Sequence, residues 1–69
     1  MQLSARNILK GTVTQVTKGA VAAEVQVDIG GGNTITSTVT VKSVERLGLA
    51  VGKEVSAVIK ASEVILAID

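Results

Sequence analysis

Between Val21 and Ile29 the odd positions are Val21, Ala23, Val25, Val27 and Ile29, and the even ones are Ala22, Glu24, Gln26 and Asp28. An apolar face backed by a mostly polar one is the pattern of an antiparallel strand half covered by a core. The pattern returns from Thr34 to Val41. There Ile35, Val39 and Val41 share one face, and Thr34, Thr36, Thr38 and Thr40 share the other. Gly30-Gly31-Gly32-Asn33 separates the two segments, and glycine reaches the positive φ that a tight hairpin needs. This hairpin commits the chain to an antiparallel sheet. Val, Ile and Thr, the residues that suit a pleated surface, make up more than a third of the sequence.

The same reading finds a strand from Gly11 to Lys18, with Val13 and Val16 on opposite faces. A β-bulge resolves that slip. Lys18-Gly19 then turns into the Val21 strand. Downstream, Glu54 to Lys60 carries Val55, Ala57 and Ile59 on one face and Val58 on the other. Val64 to Ile68 is apolar on both faces, so a strand there must be covered twice. In a chain of 69 residues the second cover must come from another subunit. Ser43 is placed to cap a one-turn helix, Val44 to Leu47, with Gly48 at its C-terminal end. Gly52-Lys53 turns into the fourth strand. The predicted order is β-β-β-α-β-β. This is an all-β chain with one short helix, an OB-like five-stranded antiparallel barrel formed by a single domain over residues 1–69.

Composition narrows the chemistry. The chain has no Cys, His, Pro, Phe, Tyr or Trp, so neither a disulfide nor a Cys/His zinc site can be built. The commonest general base and the best nucleophile are missing, which argues against catalysis. Seven basic and six acidic residues leave a net charge of +1. That balance, without aromatic stacking platforms, speaks against nucleic acid as a partner. No apolar run approaches the roughly 20 residues of a membrane helix. The segment from Met1 to Asn7 lacks the pattern of a secretion signal, so the expected location is cytoplasmic. Nearly half of the residues are apolar, and a chain this short without staples is expected to bury them in a homo-oligomer.

Two clusters carry candidate chemistry. Ser4-Ala5-Arg6-Asn7 sets a hydroxyl, a guanidinium and an amide within four residues, with no acid nearby in sequence. Lys60-Ala61-Ser62 sets a cation and a hydroxyl after the fourth strand. Each alone reads as a solvated feature: a surface arginine, or a charged edge followed by a polar turn. The threonine stripe, Thr34 to Thr40, reads as a solvated sheet face. The Gly30–Asn33 loop lacks the Lys-Ser/Thr of a P-loop and reads as a hairpin. Together the first two clusters are donor-rich and carboxylate-free, which suits a small dianion. Glu24, Asp28, Glu45, Glu54 and Glu63 are scattered, and their spacing builds no cage for a hard cation.

The opening Ser4-Ala5-Arg6-Asn7-Ile8-Leu9-Lys10-Gly11 closely resembles that of the molbindins, small Mop-type molybdate-binding proteins of the TOBE/Mop domain family. The similarity continues through Lys18-Gly19-Ala20-Val21, Gly31-Gly32-Asn33, Leu47-Gly48-Leu49 with Gly52-Lys53, and Val58-Ile59-Lys60-Ala61-Ser62. The resemblance implies an OB-like barrel assembled as a homo-hexamer, a trimer of dimers with swapped strands. It implies molybdate or tungstate as ligand, held at subunit interfaces for storage and homeostasis, with no cofactor. By the same resemblance the oxyanion-binding positions are Ser4, Ala5, Arg6, Asn7, Thr40, Lys60, Ala61 and Ser62. Arg6 and Lys60 would supply charge, and Ser4 and Thr40 hydroxyl or backbone hydrogen bonds. Ala5, Asn7, Ala61 and Ser62 would supply mainly backbone N–H groups. A second site on a threefold axis would involve Gly19, Ala20 and Val21. Two other readings stand beside this one: an OB-fold nucleic-acid-binding module, and an inert oligomerisation module.

Overall fold

The computed structural model describes residues 4–69; residues 1–3, part of the segment examined for a secretion signal, lie outside it. Four strands form one antiparallel sheet: β1 (Asn7–Lys18), β2 (Ala22–Gly30), β3 (Asn33–Thr40) and β4 (Glu54–Ile59), in the order β3-β2-β1-β4. A helix, α1 (Val41–Leu47), joins β3 to β4, and a 3-10 turn (Ala61–Glu63) follows β4.

The long first strand organises the sheet. Its first half pairs with β4, from Asn7↔Ile59 to Thr12↔Glu54. Its second half pairs with β2, from Thr12↔Asp28 to Lys18↔Ala23. The register shifts between Val13 and Gln15, which is the bulge that the misphased Val13 and Val16 required. At the handover Gly11 lies so close to β2 that a Cβ would stand 2.5 Å from the Asp28 carbonyl oxygen. Only glycine permits that approach. The strand begins at Asn7 rather than at the expected Gly11, because the β1–β4 ladder engages the residues upstream.

The apolar face of β2 supplies most of the core. Ala23, Val25 and Val27 are buried with Val13 and Val44, and Val16, Ile29, Val39, Val41, Leu49 and Val55 pack around them. The opposite stripe, Thr34, Thr36, Thr38 and Thr40, is exposed, as a solvated sheet face should be. Val21, expected to start the second strand, lies in the preceding turn and is exposed. The Gly19 N–H donates to the Ala22 carbonyl (2.8 Å) and closes that turn before pairing begins. At the other end of β2, Gly31 and Gly32 both take positive φ in the two-residue hairpin connection.

The helix starts earlier than its sequence suggested. Thr40, not Ser43, is the N-cap: its Oγ1 accepts the Ser43 N–H (3.0 Å), so Ser43 sits inside the first turn. Val41, expected as a strand residue, becomes the first helical one. Its apolar side chain suited either state, and the cap decided between them. Gly48 ends the helix with φ of 65°, as expected, and the Lys53 ammonium donates to the Leu47 carbonyl (3.1 Å).

The fifth strand does not form within the chain. Residues 64–69 run without a sheet partner, and Ile65, Leu66 and Ile68 are 92%, 89% and 98% exposed. A strand apolar on both faces needs cover on both, and one copy of the chain does not provide it. The sheet is therefore an open half-barrel. Its two edge strands, β3 and β4, face each other across an apolar groove lined by Val27, Ile35, Val39, Leu49, Val55 and Ile59. Among the described residues no helix is long and apolar enough to cross a membrane.

Candidate functional site

The β1–β4 ladder ends at Asn7↔Ile59. In that register the next position on each strand is Arg6 on one side and Lys60 on the other. Two regions far apart in sequence thus meet at one end of the sheet. Ser4, Ala5, Arg6, Lys60, Ala61 and Ser62 line a single cleft there, holding two cations, two hydroxyls and no carboxylate.

Local structure aims these groups. Ser4 and Arg6 are exposed while Ala5 and Asn7 are half-buried, so exposure alternates through the segment that leads into β1. After β4 the chain makes one 3-10 turn. The Glu63 N–H donates to the Lys60 carbonyl (2.9 Å), and the Val64 N–H donates to the Ala61 carbonyl (3.3 Å). Such a turn leaves its first N–H groups free. Among the described residues no backbone carbonyl accepts from the N–H of Ala61 or Ser62, nor from that of Ala5 or Arg6. Residues that line the cleft therefore carry uncommitted backbone N–H groups as well as the side chains.

Its electrostatics point one way. Like charges placed opposite each other on neighbouring strands repel and destabilise the pair. No acid lines the cleft to offset Arg6 and Lys60. An anion would be attracted by both cations, and a tetrahedral one would meet donors on several of its oxygens. The cleft has one wall only, since Ser4, Arg6, Lys60, Ala61 and Ser62 are all exposed.

Two expected ligands stand apart. Asn7 is the first residue of the β1 ladder, beside the cleft but not lining it. Thr40 pairs with Ala22 on the far side of the sheet, next to the rung Lys18↔Ala23, so most of the length of β1 separates it from Arg6. It lines a different cleft with Lys42, Ser43, Glu45 and Arg46. Its hydroxyl is already engaged with the Ser43 N–H and, at 2.8 Å, with the Ser43 hydroxyl. Within one chain Thr40 does not join the Arg6 site.

Gly19, Ala20 and Val21 form the β1–β2 turn at the Thr40 end. The Gly19 N–H is used internally, and the Val21 carbonyl accepts from the Val41 N–H (2.8 Å). Among the described residues the N–H groups of Ala20 and Val21 have no backbone acceptor, so those two are the donors this turn can present.

An open β half-barrel with a donor-rich, carboxylate-free cleft is suited to binding small anions. The chain belongs to the TOBE domain family, whose model matches residues 3–66. It is 49% identical over 69 residues, the whole of both chains, to a protein of Haemophilus influenzae described as a probable molybdenum-pterin-binding protein. Among solved structures it is similar to MopII from Clostridium pasteurianum in an apo form. That likeness has 48% identity and a TM-score of 0.91 over 97% of this chain and all of the other. It is also similar to the cytoplasmic molybdate-binding protein ModG with molybdate bound. There the identity is 55% and the TM-score 0.96, covering all of this chain and 49% of that one.

Proposed function

We propose that the chain binds molybdate or tungstate at sites between copies of itself and serves to store and buffer that oxyanion in the cytoplasm. One observation carries the reading: two cations and two hydroxyls from opposite ends of the chain share a cleft without a carboxylate. The likeness to a molybdate-bound structure at 55% identity supports the choice of ion.

The assembly is a homo-hexamer, a trimer of dimers with exchanged tails, in which each barrel is closed by a neighbour. Support comes from the exposed, doubly apolar Val64–Ile68 and from the apolar groove between β3 and β4. A tail laid in a partner's groove covers both. The same assembly supplies the second wall of the Arg6 cleft. It also gives Thr40 and the free N–H groups of Ala20 and Val21 a way to reach an anion across an interface.

Selectivity follows from size and protonation. Donors fixed on a rigid interface and spaced for a large tetrahedral anion cannot close on the smaller sulfate without strain. Phosphate near neutral pH carries O–H groups that would face the cations and N–H donors with no carboxylate to accept them. Molybdate and tungstate are nearly equal in size, so the site separates them poorly. Nothing in the cleft resembles an acid–base or nucleophilic constellation, and the proposed role is binding alone.

Equilibrium dialysis against molybdate, with sedimentation of the same samples, tests the reading. Bound molybdenum on a species of six chains is the expected result. A monomer that retains none would overturn it.

A further inference from the structure

The cleft joins the two places where the chain leaves the sheet. Beyond Asn7↔Ile59 no rung of the ladder holds the Ser4–Arg6 segment against Lys60–Ser62. The 3-10 turn that carries Ala61 and Ser62 ends at Glu63, and the exposed tail starts at the next residue. Among the described residues the root of the tail is held by the short turn, and Arg6 and Lys60 line one cleft beside it without a carboxylate. An anion there would bridge the two segments. It would attract both cations and accept from donors on both segments.

We propose that the bound oxyanion is a clasp at the root of the tail, so that site occupancy governs how fast tails exchange between chains. The proposal rests on the reading of the cleft as an oxyanion site and of the tail as seated on a second copy. In this arrangement a tail that leaves its partner swings about the turn at residues 60–63, and that swing separates the donors that hold the anion. Exchange then passes through an anion-free state. Its rate falls by the factor 1 + [L]/Kd, roughly tenfold when free anion is about ten times Kd. Half-maximal rate is reached at the Kd measured independently.

The test mixes two isotopically distinct preparations of the full chain and follows mixed assemblies by native mass spectrometry. It is run over a series of molybdate concentrations and in sulfate at equal ionic strength, with calorimetry on the same samples. Exchange that slows with molybdate in step with calorimetric occupancy, and not with sulfate, supports the clasp. In Arg6→Ala, exchange at the same molybdate concentration should return to the anion-free rate. Since Arg6 is exposed, that variant keeps its core. Full calorimetric binding with unchanged exchange overturns the clasp and leaves the site intact. Absence of molybdate binding overturns the site reading and the clasp together. A monomer at all concentrations overturns the tail arrangement on which the clasp depends.

Discussion

Arg6 and Lys60 each lie one position beyond the last rung of the β1–β4 ladder, Asn7↔Ile59, and line the same cleft. Nothing in the core requires two like charges there. Two cations sharing a cleft without a carboxylate suit an anion held between them. It is the relationship from which the functional account grows.

Replacing Arg6 by Ala should weaken molybdate binding by at least about thirtyfold, or ~2 kcal/mol, because one of the two cations lining the cleft is lost. The melting temperature of the anion-free protein should hardly change. Isothermal titration and a thermal melt on the same sample read both effects.

Thr40→Ala should cost about 1 kcal/mol of stability, since it removes the acceptor for the Ser43 N–H. Thr40→Ser should recover most of that loss. Denaturant unfolding of the three proteins checks the order.

Much of this fold was legible because its strands obey the two-residue period. Ala23, Val25 and Val27 fall on the buried face that alternation assigned, and the Val13/Val16 misphase marked the bulge. The helix boundary was less legible. Thr40 fits the threonine stripe and Val41 the apolar stripe, so period alone extends the strand through both. Only the geometry of the Thr40 cap ends it there. The fifth strand is legible as a pattern but does not form within one chain. Its pattern is that of a strand, but a strand also needs an edge to pair with, and pairing is not a local property. For the site, residue chemistry singled out Ser4–Arg6 and Lys60–Ser62, while their meeting depended on the β1–β4 register. Thr40 shows the reverse case, a hydroxyl used to cap a helix on the far side of the sheet.

Gly11→Ala should destabilise the sheet by about 1–3 kcal/mol. The added methyl meets the Asp28 carbonyl oxygen at 2.5 Å and the Val27 Cγ1 at 2.6 Å, and the first of these is backbone that cannot yield without breaking the β1–β2 pairing. The gain in strand propensity over glycine is smaller than this clash. A thermal melt resolves the sign.

The double variant Ile65→Ser with Leu66→Ser should dissociate the assembly while leaving the sheet folded. Both side chains are about nine-tenths exposed in the single chain, so their loss costs its core nothing. Sedimentation velocity beside circular dichroism reads the two consequences separately. A change of secondary structure with unchanged mass would contradict the role given to the tail.

The most direct test of the central claim is a calorimetric titration of the protein with molybdate in a large excess of sulfate. Tight binding that sulfate leaves unaltered is the predicted result. No heat, or heat that sulfate abolishes, would contradict a selective oxyanion site and leave Arg6 and Lys60 as a general anion patch.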